Sequence, residues 1–227
     1  MADRKTYAAV TAAYWGFTLT DGALRMLVLL HFHKLGYTPL DLAFLFLLYE
    51  AMGIVTNSVG GWLGARFGLR LTLFTGLATQ IVALTMLSAL QEGWAVGLSV
   101  AYVMAAQALS GVAKDLTKMS SKSAVKLVVS DSAGDGQSPL FRWVALLTGS
   151  KNALKGLGFL IGGVMLQALG FVPSLLAMAG LLVLALCLAL AAPMIALVAR
   201  VLEWAARRFP SLSFISHPTL NLLQKDR

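Results

Sequence analysis

Long apolar blocks alternate along the chain with short polar connections. About six of these blocks are long enough to cross ~30 Å of hydrocarbon as α-helices, because each helical residue rises about 1.5 Å. The pattern therefore predicts an all-α, polytopic membrane protein built as a six-helix bundle. The predicted spans are Thr6–Leu30, Leu42–Leu63, Leu71–Leu90, Trp94–Ala113, Phe141–Leu169 and Val172–Val198.

The sequence after Val198 has a different character. An amphipathic segment with three arginines is followed by a proline and a polar tail. We therefore expect residues 1–198 to form the six-helix bundle, and residues 199–227 to form an amphipathic segment and a cytoplasmic tail. No seventh span is expected.

Composition also indicates a protein of the lipid bilayer. Of its 227 residues, 58% are hydrophobic and only 12% are charged. The formal net charge of +8 does not indicate nucleic-acid binding, because most lysines and arginines lie in connections where the positive-inside rule accounts for them. The opposite set of connections carries only Lys34. Both termini are therefore expected to be cytoplasmic, in a multi-pass protein of the inner (plasma) membrane.

Three of the predicted spans carry charged side chains. An ammonium group near the bilayer midplane costs roughly 2.5–3.5 kcal/mol on insertion scales, so it needs a partner, a wet cavity or an anionic ligand. We expect the first, second and fifth spans to line a path, whereas the third and sixth can pack outside. The charged residues are Asp21, Arg25, Glu50, Lys151 and Lys155.

Two of the charged spans carry carboxylates. Asp21 and Arg25 are four residues apart, on one helical face, and can pair with each other. Arg25 is then either part of a structural ion pair or an anchor that is released from Asp21 when an anion arrives. Glu50, near mid-depth, either carries a coupling proton or makes a buried structural hydrogen bond. Asp21 and Glu50 are the candidate proton-coupling residues.

The fifth span carries two amines, those of Lys151 and Lys155. Lys155 is about thirteen residues from the predicted cytoplasmic end, so its amine would have to bridge roughly 20 Å to reach water by snorkelling. Lys151 is nearer that end, and snorkelling stays open for it. We interpret both amines as lining a path, so Arg25, Lys151 and Lys155 are the candidate substrate-binding residues.

The sequence does not support other kinds of chemistry. His31 and His33 are alternate residues of one helix and do not converge on one ligand, so neither a metal site nor a cofactor is expected. No nucleophile–base pair or phosphate-binding loop is recognisable either. We therefore do not expect an enzyme.

The connection between the second and third spans is rich in glycine and arginine. It resembles the loop signature of the major facilitator superfamily, Gly-x-Leu-Ala-Asp-Arg-x-Gly-Arg-Arg. Ala65 stands in place of the gating aspartate of that signature, and Leu69 in place of an arginine. The matching residues are Gly61, Leu63, Arg66, Gly68 and Arg70, and all of these except Leu63 are candidate gating residues.

A second resemblance lies in the fifth span, where residues 158–163 read Gly-Phe-Leu-Ile-Gly-Gly. This segment is similar to the Gly-Pro-x-x-Gly-Gly motif of the superfamily's exporters, with Phe159 in place of proline. Small residues at these positions let neighbouring helices approach closely, which requires no substrate.

Four lysines spaced by four residues follow the fourth span. They form a cationic stripe along one side if the helix continues beyond the membrane. The stripe either binds lipid headgroups from the cytoplasm or concentrates polyanions at the cytoplasmic mouth of a path. Its residues are Lys114, Lys118, Lys122 and Lys126.

Residues 17–25, 110–126 and 146–156 look like the ArsJ family of organoarsenical efflux permeases, a branch of the same superfamily. The resemblance extends from near the N-terminus to about Pro193. It implies export of 1-arseno-3-phosphoglycerate, which glyceraldehyde-3-phosphate dehydrogenase makes in the cytoplasm, and hence arsenate resistance. Because this ester is doubly oxyanionic, it needs fixed cations, which agrees with the cations inside the predicted spans.

The superfamily also implies a larger assembly. Its members have two six-helix halves around one site, so this chain corresponds to the N-terminal half of a proton-coupled exporter. The expected partners are a missing C-terminal half or a second copy of the chain, the bilayer, the organoarsenical substrate and, functionally, the dehydrogenase. Two alternatives stay open: a drug or sugar-phosphate antiporter of the same fold, and a non-transporting fragment or scaffold.

Overall fold

The computed structural model consists of six α-helices and no strand over its described residues, which confirms the all-α prediction there. It describes the backbone of residues 2–91, 93–130 and 138–208, and side chains within residues 11–60, 62, 66, 68, 71–91, 93–120 and 149–190. The helices are α1 (Ala2–Lys34), α2 (Pro39–Phe67), α3 (Leu69–Ser88), α4 (Val96–Ser130), α5 (Ser138–Ala168) and α6 (Phe171–Arg208).

Four helices are long and apolar enough to cross a membrane, judged on the described residues. This supports a membrane-embedded protein. For α1 and α5, which coincide with two predicted spans, passage through the membrane stays a prediction, as do the orientation and the kind of membrane. The four segments are Pro39–Gly60, Leu71–Ser88, Val96–Ser120 and Phe171–Leu190.

The break between α2 and α3 is shorter than the loop that the sequence predicts. α2 continues to Phe67 and α3 begins at Leu69, so Gly68 alone separates them. Its φ angle is 82°, which glycine adopts readily and residues with a side chain rarely adopt. The chain therefore turns here on one glycine, and most of the predicted gating loop is the last two turns of α2.

Two other helices run past the predicted ends of their spans. α4 continues to Ser130, as the lysine pattern requires, and α6 continues to Arg208. The amphipathic segment predicted after Val198 is thus a direct extension of α6 over the described residues.

The contacts between helices form the same pattern when α1, α2 and α3 are exchanged with α4, α5 and α6, respectively. α1 packs along α5 and α2 along α4, each pair in the same direction, whereas α3 packs against α4 and α6 against α1 in the opposite direction. Because α2 follows α1 after a short connection and runs parallel to α4, α1 and α4 run in opposite directions. This is the arrangement of an inverted repeat.

Glycines bring α1 and α5 together. A Cβ atom at Gly22 would lie 2.7 Å from the Lys155 carbonyl oxygen, and one at Gly158 or Gly162 would overlap the backbone of α1. The prediction that small residues at 158–163 allow close helix contact is therefore confirmed. This contact fixes the height of Lys155 relative to α1.

The outer helices α3 and α6 each bury one apolar face against the bundle. On α3, Leu77 and Leu84 are fully buried, while Val82 is 54% exposed. Gln80 of this helix is fully buried and accepts a hydrogen bond from Ser110 Oγ at 2.8 Å. Its amide oxygen is therefore partnered within the protein, whereas its amide nitrogen is buried without a hydrogen-bond partner among the described residues.

Candidate functional site

Glu50 joins three helices through its carboxylate. Arg25 Nη2 of α1 donates to Glu50 Oε1 at 2.7 Å, and Lys114 Nζ of α4 donates to Glu50 Oε2 at 3.4 Å. Glu50 lies midway along the apolar segment of α2, so these charges meet at the level of the predicted bilayer core. Each cation is compensated there by one oxygen of the same carboxylate.

Tyr49, the neighbour of Glu50, contacts the same two cations through its ring. The Arg25 Cζ atom lies 4.0 Å and the Lys114 Nζ atom 4.2 Å from the ring centroid, within the range of cation–π attraction. The Tyr49 hydroxyl donates to Asp21 Oδ1 at 2.6 Å. Since Tyr49 is fully buried, it holds the basic and acidic side chains in fixed relative positions.

Lys155 of α5 adds a third cation. Its amine is partly buried and interacts electrostatically with Arg25 and Lys114, which repel it, and with Asp21 and Glu50, which attract it. It also lies 5.9 Å from the Phe159 ring centroid. The charge cluster, as we call it below, consists of Asp21, Arg25, Tyr49, Glu50, Lys114 and Lys155.

The partners within the charge cluster differ from those the sequence suggested. Arg25 binds Glu50 of the next helix, whereas Asp21 accepts a hydrogen bond from Tyr49. Spacing along one helix favoured an Asp21–Arg25 pair, but α2 brings both a carboxylate and a hydroxyl closer. Glu50 is 60% exposed at its side chain, so it is accessible rather than sealed in the bundle.

Lys114 belongs to the charge cluster, although its spacing placed it in the predicted cytoplasmic stripe. The signal that could have found it is a repeated pattern, because Gly22 precedes Arg25 by three residues and Gly111 precedes Lys114 by three. Each glycine meets a backbone carbonyl of the partner helix, that of Lys155 or of Tyr49. The two cations therefore occupy equivalent positions in the two halves of the inverted repeat.

The rest of the predicted stripe is only partly described. Lys118 Nζ bonds Asp115 Oδ1 at 3.2 Å, and Asp115 is almost fully buried. Both residues lie within the apolar segment Val96–Ser120, not beyond it. The side chains of Lys122 and Lys126 lie outside the described residues, so a continuous stripe stays a prediction.

The remaining predicted residues lie elsewhere. Lys151 is partly buried one turn before Lys155 and has contacts of its own. Arg66 stacks over the Trp62 ring with its Cζ 5.1 Å from the centroid, at the end of α2. Apart from their backbone, Arg70 and Gly61 lie outside the described residues.

No protein-family model matches this chain, and a comparison with curated proteins finds no match either. The resemblance to organoarsenical permeases therefore rests on the sequence motifs alone.

The charge cluster is the part of the described structure best suited to bind an anion. Guanidinium and ammonium groups that are partly withdrawn from water bind oxyanions strongly, because water screens them less. Two surface clefts, at the end of α1 and between α3, α4 and α6, are lined almost entirely by apolar side chains. Among the described residues, no three His, Cys, Asp or Glu side chains are grouped to hold a metal ion.

Proposed function

We propose that the chain is the N-terminal half of a proton-coupled exporter of 1-arseno-3-phosphoglycerate, which confers arsenate resistance. The observation that carries this proposal is the contact of Arg25 and Lys114 with Glu50 within apolar helices, with Lys155 near enough to interact electrostatically with all three. Three cations from three helices are costly to place in a bilayer. An anionic cargo that binds beside them gives a physical reason for their presence.

The packing symmetry supports transport as the general activity. Many secondary transporters consist of inverted repeats and bind their substrate near the membrane midplane, where the repeats meet. Here the equivalent cations Arg25 and Lys114, on the helices α1 and α4, contact the same Glu50 carboxylate. A rocking motion of the repeats would expose such a site to one side at a time.

The exposed side of Glu50 supports an assembly larger than one chain. The Glu50 carboxylate bridges two largely buried cations, but the Glu50 side chain is itself 60% exposed. Glu50 therefore lies at the rim of this bundle. We propose that a second six-helix body, either a separate C-terminal half or a second copy, covers this side and closes the path. The functional partner is the glyceraldehyde-3-phosphate dehydrogenase that makes the ester.

The test is arsenate tolerance in a sensitive bacterium that expresses the dehydrogenase and this chain, with and without a second six-helix polypeptide. Lys155→Met removes the proposed charge-assisted contact with the anionic ester, which is worth about 1.5–3 kcal/mol. Tolerance and organoarsenical efflux should therefore fall about tenfold or more. Lys34→Met is the matched control, because Lys34 is exposed at the end of α1. It should leave both readouts unchanged.

Unchanged efflux in the Lys155→Met variant would refute the proposed role of the charge cluster, as would an equal loss in both lysine variants. Efflux of a sugar phosphate, without arsenate tolerance, would favour the alternative antiporter, since the same cations suit any phosphate ester. The absence of efflux with any second polypeptide would favour a non-transporting scaffold.

A further inference from the structure

Glu50 is held as a bound anion would be held. Each of its carboxylate oxygens faces a different cation on a different helix, at 2.7 Å for Arg25 and 3.4 Å for Lys114. The Glu50 side chain is 60% exposed, whereas each cation side chain is only 21% exposed. The carboxylate can therefore rotate out of the site by moving its own side chain, while the cations stay in the packed bundle.

The two cations are positioned without the help of Glu50. Both contact the buried Tyr49 ring, at 4.0 Å and 4.2 Å from its centroid. Both also stand three residues after a glycine that meets the backbone of the partner helix. Arg25 Nε is buried and has no hydrogen-bond partner among the described residues, so one of the guanidinium donors is left unsatisfied.

The charges that face Glu50 determine what can replace it. Arg25 and Lys114 contact it directly, and Lys155 acts on it at longer range. Asp115, the nearest other carboxylate on α4, is paired with Lys118. At ordinary ionisation the charge cluster has one net positive charge, and a protonated Glu50 would leave two. These two positive charges would balance the two negative charges of a doubly ionised phosphate or arsenate group.

We propose that Glu50 is a tethered competitor which occupies the oxyanion seat between Arg25 and Lys114, and that an oxyanion displaces it as Glu50 takes up one proton from water. Away from its cations, a carboxylate midway along a membrane helix is desolvated, which favours its neutral form. With a dianion and one proton bound, the charge cluster passes from one net positive charge to none. The inference rests on the proposed anion transport but names its exchange step. In this step the oxyanion and the proton bind together and are released together.

The experiment uses the full chain in lipid nanodiscs and sulfate as the probe. Sulfate is a tetrahedral dianion that does not itself titrate near neutral pH, so any proton that is taken up from the buffer binds to the protein's own groups. Calorimetry in buffers of different ionisation enthalpy measures the affinity and the number of protons bound per sulfate. The variants are Glu50→Gln and, as a control with the same charge change on the same helix, Asp41→Asn, which is exposed and bonded to Thr38.

The wild-type protein should take up about one proton per sulfate and bind more tightly as the pH falls. Glu50→Gln should take up none and bind about tenfold more tightly or better, because an amide does not compete as an anion. Asp41→Asn should behave as the wild type. The proton count of the wild type is informative even if Glu50→Gln fails to fold.

Binding without proton uptake in the wild type would overturn the inference, as would equal or weaker binding by a folded Glu50→Gln variant. Failure of both proteins to bind sulfate would overturn it too, because the seat would not then accept an oxyanion. Proton-linked sulfate binding without arsenate tolerance would leave this inference standing and refute the organoarsenical cargo. The two proposals are thus separable.

Discussion

At the scale of single residues, Tyr49 connects the acidic and basic members of the charge cluster. Its hydroxyl satisfies Asp21, which is 4% exposed, and its ring lies against Arg25 and Lys114. A buried carboxylate without a hydrogen-bond donor is costly. The hydroxyl is therefore important for stability, while the ring is important for the position of the cations.

Tyr49→Phe separates these two roles, because it removes only the hydroxyl. It should lower the free energy of unfolding by about 1–3 kcal/mol, since the Asp21 carboxylate loses its donor. Tyr102→Phe is the control, since that hydroxyl donates at 2.8 Å to the uncharged Met86 carbonyl and should cost about 0.5–1.5 kcal/mol. Unfolding in mixed micelles measures both. A smaller loss for Tyr49→Phe than for Tyr102→Phe would contradict this account.

At the scale of helices, the parallel contact between α1 and α5 depends on small residues. No Cβ can be accommodated at Gly162 without displacing the backbone at Ala23. In a membrane, association of helices relies on such close packing, since lipid is as apolar as leucine. The contact also sets how near Lys155 comes to the cations of α1 and α4.

Gly162→Ala should therefore separate α1 from α5 and destabilise the protein by about 1–3 kcal/mol. Gly156→Ala, on the same helix, meets open space and should be neutral or stabilising by up to about 1 kcal/mol, because alanine favours helix. Thermal unfolding in detergent compares the two. Equal effects would show that the α1–α5 approach is not the source of the sensitivity.

At the scale of the whole molecule, the charge bias of the connections predicts which ends face the cytoplasm. Leu35 follows Lys34 in the connection between α1 and α2. Arg66 lies at the other end of α2, next to the connection with α3. In a Cys187→Ser background, a membrane-impermeant maleimide should label Leu35→Cys in intact cells and Arg66→Cys only after permeabilisation. Gel-shift labelling provides the measurement. Labelling in the reverse order would invert the predicted orientation.

Cys187 itself tests the membrane boundary. It is exposed on α6, within the apolar segment Phe171–Leu190. A membrane-impermeant reagent does not enter hydrocarbon, so it should not label Cys187 from either side. Labelling before permeabilisation would place this part of α6 in water.

The sequence alone determined the six helices, although α4 and α6 run past the predicted ends of their spans. Span length and apolar content are local properties, and the cost of exposing backbone groups to lipid forces each apolar block into a helix. The cations Arg25 and Lys155 were recognisable for the same reason, because a charge inside an apolar block is visible without knowledge of its neighbours. The Gly-Gly pattern of α5 likewise predicted a close helix contact.

Only the tertiary structure decided which charges meet. Glu50 is 25 residues from Arg25 and 64 residues from Lys114 along the chain, so their contact depends on which helices pack together and at what height. The parallel approach of α2 and α4 at Gly111 brings Lys114 beside Tyr49 and separates it from the predicted cytoplasmic stripe. Spacing on one helix favoured an Asp21–Arg25 pair, but it contains no information about a competing partner on another helix, and that competition determined the site.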